Sequence, residues 1–492
     1  MIDVLISGAG AAGLTLAIDL ARRGVSFRLI DRLDVPFSGS RGKGIQPRTL
    51  EVFEDLGIVD RIAAAGSKYP PQRLHRGDDS YRDEQNMALE APIVGEPYRT
   101  PLLIPQFLTE LAMRNRLAEL GGAPEYGLEL IGFEQTNDSV EAQVDGANGK
   151  ETIVCRYLVG ADGGRSVVRH ALGVEFPGKT LGIRAIVADI SLDGLPRDAW
   201  HRFNDGDMAR QISFCPLPHG DVFQLQAPIS HDGDMELSVE ALQSFIDSRL
   251  PIGKITVRDV AWASCYSMNA RLAERYRVGR VILVGDAAHI HPPTGGQGLN
   301  TSVQDAYNLG WKLDGVLSGA PDWLLDSYQA ERRPIAAGML GLATGLLEKA
   351  RHGDMRRGRE VHQLDVSYES SQVSLRTSKP DALLIAGSRA PDASIRGAAG
   401  QPARVFNLLK GPHWTLLGYE VGGGTVSSRQ GLHVHTIGAG GDYHDDQGHF
   451  SAIYALKAGD WVLVRPDGYI AGTAASDGLG ALESHLSAVG VV

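Results

Sequence analysis

The first two dozen residues narrow the choice of folds more than any other stretch of the chain. Asp3 to Ser7 is a short apolar strand, Gly8, Gly10 and Gly13 follow in G-x-G-x-x-G spacing, and a helical pattern runs from Leu14 to Arg23. That order opens a parallel βαβ unit. The first glycine permits a tight turn, the second lets backbone reach a pyrophosphate, and the third lets helix and strand pack closely. Ala11 and Ala12, small residues at the helix entrance, join the candidate cofactor contacts. After a second strand, Ser26 to Ile30, Asp31 lies at a spacing suited to ribose hydroxyls, with Arg32 beside it. NAD fits this end of a ligand as well as FAD does.

A later run suits the other end. Val281 to Val284 is apolar and delivers Asp286 at a strand terminus, where open parallel sheets hold their ligands. The run continues through Pro293 and Gly295 to Gly298, Leu299 and Asn300. Its glycines let backbone approach a flat ligand, and a helix opening at about Gly298 points unpaired N–H groups outward. Such donors favour negative charge by about 0.3–1 kcal/mol, and by up to about 2 when partly buried. Reduced flavin carries its charge along the N1 and C2 carbonyl edge, so this element suits the redox end of a flavin.

With the segment Leu158-Val159-Gly160-Ala161-Asp162-Gly163-Gly164-Arg165-Ser166, and with Gln304, Asp305, Asn308, Trp311 and Lys312 after the second run, the chain carries three ordered motifs. They resemble those of the single-component FAD-dependent aromatic hydroxylases, the class A flavoprotein monooxygenases. Arg41, Gly44, Arg48 to Glu51, Gln106 and Tyr328 to Pro334 extend the likeness over most of the first 340 residues. Within the family the chain is most similar to the branch with a C-terminal thioredoxin-like domain, which includes phenol hydroxylase, polyketide hydroxylases and rifampicin monooxygenase.

The resemblance implies FAD as cofactor, NADPH or NADH as a transient reductant near Asp162, and O2 as co-substrate. A flavin C4a-hydroperoxide would then pass oxygen to an aromatic or polyketide-like substrate, the cofactor carrying the difficult step. Arg41, Gln106, Asp162 and Pro293 enter the candidate cofactor set on this ground. For Asp162 the alternative is a plain Asp-Gly turn, and for Pro293 a rigid loop. Gly295 and Gly296 would let the flavin swing. Baeyer–Villiger or antibiotic-inactivating oxygenation, a non-oxygenating flavin reductase and a flavin-binding sensor are alternatives compatible with the same motifs.

At 492 residues the chain is too long for one core, and an α/β architecture with a discontinuous first domain is expected. Residues 1–70, 101–176 and 271–387 read as a Rossmann-like FAD-binding domain. Residues 71–100 and 177–270 read as an antiparallel β-sheet substrate domain, with strands in 184–190 and 209–229 and a turn at Pro216, Pro218, His219 and Gly220. A helix from Leu237 to Leu250 and a returning strand from Val257 to Tyr266 complete it. A helix from Ile335 to Lys349 follows, then a small-residue linker at 388–403 and a cysteine-free thioredoxin-like domain at 404–492, expected to serve packing rather than catalysis.

On the substrate side, Ile212, Phe214, Phe223 and Leu225 alternate along the expected sheet and either line an apolar pocket or pack the sheet. Lys43 stands where phenol hydroxylase resembles this chain but carries an acidic residue; it either pairs with a phenolate or carboxylate or lies exposed on its loop. No side chain declares itself a catalytic base. His289 and His291 lack a third ligand with metal spacing, so no metal is expected and both read as hydrogen-bonded structural residues.

A net charge of −11 argues against a nucleic-acid partner. The basic cluster Arg351, Arg356, Arg357 and Arg359, broken by Asp354 and Glu360, reads as a solvated helix face. Cys155, Cys215 and Cys265 are odd in number and widely spaced, and read as buried small hydrophobes in a reducing compartment. No apolar run approaches the roughly 20 residues of a membrane span, and no leader pattern precedes the first strand. The expectation is a cytoplasmic enzyme, with a homodimer allowed.

Overall fold

The computed structural model describes residues 1–491 except 77–79, 88, 205, 208, 231–234, 252, 352–355, 376–383 and 423, with the side chains of 350 and 351 also set aside. The apolar strand Ile2–Ser7 lies between Phe27–Asp31 and Gly149–Gly160, parallel to both, and Val281–Leu283 runs parallel on the far side of Gly149–Gly160. Register brings the motifs together: Ser7 is level with Ile30 and Gly160, and Gly160 is level with Leu283. The chain therefore leaves the sheet at Gly8, Asp31, Ala161 and Val284 along one edge, although these residues span most of the first 300 positions. Helix Ala11–Arg23 covers this sheet beside the long helix Gly298–Leu317.

A second sheet of eight strands is centred on Gly178–Asp193, which pairs antiparallel with Val222–Ile229 on one side and Thr256–Leu272 on the other. The turn at His219 and Gly220 has φ of +53° and +143°. Further strands follow at Ile212–Pro216, Trp200–Phe203, Gln72–His75 and Tyr81–Glu84. The sheet departs from the all-antiparallel expectation at one join, where Trp200–Phe203 runs parallel to Gln72–His75, because a long excursion separates the two in sequence. Helix Val239–Asp247 packs on one face of the sheet.

The C-terminal sheet has seven strands. Four of them, Leu432–Ile437, Trp414–Tyr419, Trp461–Val464 and Ile470–Ala474, lie in that order with Trp461–Val464 antiparallel to Trp414–Tyr419, the arrangement of a thioredoxin-like core. The expected linker at 388–403 is instead structured: Ser394–Gly397 and Pro402–Arg404 are strands of this sheet, and Ala390, Ala393 and Ile395 are buried. Small residues there serve close packing rather than looseness.

The expected helix from Ile335 begins twelve residues earlier, as Trp323–Arg351, and runs through Pro334. A helical proline costs about 3 kcal/mol, and buried anchors on the preceding turns oppose it. Tyr328 Oη donates to Leu283 O at 2.8 Å, and Arg332 Nε donates to Asp305 Oδ1 at 2.7 Å. Glu331 accepts two bonds of 2.8 Å from Arg465 and one of 2.7 Å from Lys312. Asn308 Nδ2 donates to Glu331 at 2.7 Å and to Asp467 at 3.0 Å. This charged cluster joins the C-terminal sheet to both long helices, and its members are almost fully buried.

The basic cluster is not a solvated helix face. Arg357 and Arg359 lie beyond the helix end; Arg359 is paired with Glu96 and Asp365, while Arg357 lies against Met87. Asp354 falls outside the described residues. Cys155 and Cys215 are buried, Cys265 is half-buried, and all three are free thiols.

Candidate cofactor and substrate site

The three glycines of the first motif divide their work as spacing suggests. Gly8 has φ +108°, and a Cβ on it would lie 2.3 Å from Ala161 O; a Cβ on Gly13 would lie 1.9 Å from Gly8 O. Both positions are closed to any side chain by backbone. At Gly10 the nearest atom to an added Cβ is Glu110 Oε1, 4.0 Å away, so the space in front of the helix is open. No side chain caps that helix, and its entrance residues Ala11 and Ala12 are buried. A pyrophosphate fits an opening with free helix N–H groups and no side chain in the way.

Asp31 accepts from Ala9 N at 2.7 Å through Oδ2 and from Leu33 N at 2.9 Å through Oδ1, which fixes its carboxylate at the edge of this opening. Arg32 is exposed beside it. Asp162 accepts from Val168 N at 3.1 Å through Oδ2, while its buried Oδ1 has no partner in the protein. An orphaned acceptor beside Gly163, where a Cβ would meet nothing within 4 Å, fits hydroxyl or N–H groups of an elongated ligand. Asp286 is exposed by surface area, and desolvation by the surrounding protein pushes its carboxyl up against the pull of His289 and Arg41.

The second loop is tied to residues 40–46. Asn300 Nδ2 donates to Gly44 O at 2.9 Å and to Gly296 O at 2.7 Å, and its Oδ1 accepts from Gln46 N at 2.8 Å. Both ends of that side chain are thus tied to the protein. Gly42 N donates to Gln106 Oε1 at 3.0 Å, and a Cβ on Gly42 would lie 3.3 Å from Leu299 Cδ1, so Gln106 and Leu299 flank the same loop. Gly295 and Gly296 have φ of +89° and +63°, and Pro293 is exposed. At Gly298, where the helix opens, an added Cβ would meet nothing within 4 Å. Arg41 lies over Phe37 and Trp262, 5.7 Å and 5.9 Å from their ring centres.

His289 is buried and shares a 2.6 Å bond with Asp305, whose other oxygen holds Arg332, and His291 bonds Ala336 O at 3.3 Å. Each histidine is thus hydrogen-bonded within the protein through Nε2, while its buried Nδ1 has no partner in the protein.

Ile212, Phe214, Phe223 and Leu225 pack the sheet rather than line a pocket. All four are buried against Leu242 and Ile246 of helix Val239–Asp247, on one face of the sheet. Alternation with period two separates two faces and does not say which one holds a helix. The residues between them point to the loop at 37–46. Gln224 accepts from Lys43 Nζ at 2.6 Å and donates to Ser40 Oγ at 2.7 Å. Ser40 is held in turn by Asp189, which accepts from Ser40 N at 2.7 Å. Lys43, far from a free loop side chain, is half-buried with Nζ 4.0 Å from the centre of the Trp200 ring. Burial pulls its pKa down.

Sequence reasoning missed Ser40, Asp189, Trp200 and Gln224, which no local motif marks. It also missed Glu110, a buried carboxyl pushed up to about 7 by desolvation, with Gln106 and Arg114 pulling it back. A signal was present there: Gln106, Glu110 and Arg114 recur every four residues and so share one face of helix Gln106–Glu119.

Residues 1–343 match the FAD binding domain family, and residues 384–489 match the aromatic-ring hydroxylase C-terminal family. A flavin-dependent monooxygenase of Mycobacteroides abscessus is 40% identical over 473 residues, covering 95% of this chain and 96% of that protein. The 12-dehydrotetracycline 5-monooxygenase/anhydrotetracycline 6-monooxygenase of Streptomyces rimosus is 33% identical over 527 residues, with 96% of each chain covered. The crystal structure of aklavinone-11 hydroxylase in ternary complex with FAD and aklavinone superposes with a TM-score of 0.83 at 27% identity, covering 99% of this chain and 98% of that one. The chain belongs to the FAD-binding aromatic-ring hydroxylase family of flavin-dependent monooxygenases.

Proposed function

We propose that this enzyme hydroxylates a multi-ring aromatic or polyketide-like substrate, using FAD, O2 and NAD(P)H. The observation that supports the reading is that Ser7, Gly160 and Leu283 lie level in the sheet, so the segments carrying Gly10, Asp162 and Asp286 leave it at one edge, with Gly285 packed against Ala12 and against Ser302 of the helix that opens at Gly298. Anhydrotetracycline and aklavinone, named for two of the relatives, are multi-ring polyketides, which supports this substrate class.

In this reading the turn at Gly8, Gly10 and Gly13 holds the pyrophosphate, and Asp31 holds the adenosine ribose. Asp162 and Asp286 meet the ribityl and phosphate region, and the N-terminus of helix Gly298–Leu317 faces the N1 and C2 carbonyl edge of the flavin. Bound FAD, once reduced, supplies the activated oxygen. The protein contributes position: Asn300, Gln106 and Gln46 keep the two loops from separating, and Lys43, held by Gln224 against the Trp200 ring, is the polar group on the substrate side. A homodimer and a cytoplasmic location complete the reading, the latter supported by three free thiols.

The test is direct. Purified protein should be yellow and release FAD on denaturation. A panel of phenols, anthraquinones and tetracycline-type polyketides should contain members that stimulate NADPH oxidation and gain one atom from labelled O2. Absence of FAD, or NADPH oxidation with no product carrying the label, would refute the proposal.

A further inference from the structure

The turn at Gly295 and Gly296 consists of two residues with wide conformational freedom, yet buried glutamines hold it in one arrangement. Gln297 Nε2 donates to Gly295 O at 2.8 Å and to Val361 O at 3.2 Å, and Gln46 Nε2 donates to Gly295 O at 3.2 Å. Gln363 Nε2 donates in turn to Gln297 Oε1 at 2.6 Å and to Thr301 Oγ1 at 3.2 Å, while Gln363 Oε1 accepts from Gln304 Nε2. This chain of amides ends on backbone carbonyls, which can only accept. Gln297 must therefore turn its nitrogen toward Gly295, and Gln363 must turn its nitrogen toward Gln297.

Gln363 has φ +61° and lies two residues beyond the short helical turn Arg359–Val361, outside both matched segments, 1–343 and 384–489. A residue with a side chain pays to enter the left-handed region, and such residues persist where their surroundings hold them, often at functional sites. What Gln363 holds is the approach to a helix. Gln297 directly precedes Gly298–Leu317, yet its side chain caps none of the free N–H groups there, because its amide is drawn back toward Gly295 and Val361. Those N–H groups stay open to a ligand.

Resting on the proposed placement of the flavin at this helix N-terminus, we propose that Gln363 is a positioning residue for the cofactor. Acting through Gln297, it keeps the loop at 295–297 fixed and the helix entrance clear, and so raises the preference of the site for reduced, anionic flavin over oxidised flavin. Gln363 does this without touching the cofactor.

The midpoint potential of the FAD-loaded protein reads that preference with neither substrate nor oxygen present. Gln363→Met fills the same space but carries no amide. It should lower the two-electron potential by about 30 mV, a tenfold weaker preference for the reduced form. The Kd for oxidised FAD should stay within about threefold, because the turn at Gly8–Gly13 is untouched. Gln363→Gly also lacks the amide but relieves the positive φ, so it guards against misfolding and should lower the potential in the same way. In a Gln297→Ala background, Gln363→Met should change the preference less than twofold, because the residue it acts through is gone. An unchanged potential in both variants, a full shift that survives in the Gln297→Ala background, or failure of both variants to retain FAD would overturn the proposal. A wild-type protein that takes up no FAD would instead refute the placement of the cofactor, so the two failures are distinguishable.

Discussion

Replacing Gly10 with alanine separates what that glycine does for a ligand from what it does for the fold. Gly10 has φ −76° and ψ −175°, a conformation open to alanine, and the added methyl would approach nothing closer than Glu110 Oε1 at 4.0 Å. Replacing glycine by alanine at such a position stabilises a protein by about 0.4–1 kcal/mol through the unfolded chain. The melting temperature of the apoprotein should therefore hold or rise slightly. The same methyl would occupy the approach of the pyrophosphate to the helix entrance. Loss of one backbone hydrogen bond to a charged oxygen, about 1.5–3 kcal/mol, should raise the Kd for FAD roughly tenfold to a hundredfold. Gly13→Ala is the contrasting case: its methyl would lie 1.9 Å from Gly8 O, so helix and strand must part and the protein should be strongly destabilised or misfolded. Flavin fluorescence quenching on titrating apoprotein with FAD, alongside thermal unfolding, reads both effects. Unchanged FAD affinity in a folded Gly10→Ala variant would place the pyrophosphate elsewhere and refute the reasoning.

Two further outcomes are expected. The Glu110 carboxyl, raised to about 7 beside the dinucleotide loop, should make FAD binding tighten as pH falls from about 8 to about 6, because protonation removes a negative charge near the phosphates. The sign for apoprotein stability is the same, since a carboxyl raised in the folded state favours folding at low pH and loses that contribution as pH rises through 7; Glu110→Gln should flatten both profiles, and a pH-independent wild type would contradict the assignment. Arg465→Met should lower stability in urea by about 3–5 kcal/mol, because Glu331 and Asp467 lose the guanidinium that holds them inside. The Glu331 and Asp305 carboxyls are held well below the usual range by their cationic partners, so the stability they lend is present above the ordinary carboxylate pKa and fades as pH falls. An unchanged urea midpoint in Arg465→Met would show that the cluster contributes nothing.

The sequence was most legible where chemistry is local. Gly8, Gly10 and Gly13 are legible through their spacing between a strand and a helix, and Gly13 is closed by Gly8 only five residues earlier; the C-terminal strands Trp414–Tyr419 and Leu432–Ile437 follow from short β-branched and aromatic runs. It was least legible where meaning depends on the far side of an element. Ile212 and Phe214 alternate with Ser213 and Cys215, and only the packing of helix Val239–Asp247 decides which pair faces the cleft. Ala390 and Ala393 look like linker residues until the sheet that buries them is seen. Arg357 looks like one of several surface charges because its partial burial is created by Tyr69 and Met87, some 270 to 290 residues earlier.

The charged cluster at Glu331 also bears on how this enzyme can be recombined with its kin. Lys312, Asn308 and Glu331 lie within the first matched segment, residues 1–343, whereas Arg465 and Asp467 lie within the second, residues 384–489. A shuffled enzyme joining this chain's front to another's tail would inherit half of an interdependent set, with acids or bases stranded in the seam. Successful chimeras should be those that transplant all five positions together, and libraries that ignore this grouping should be depleted of folded members irrespective of how well their catalytic clefts are preserved.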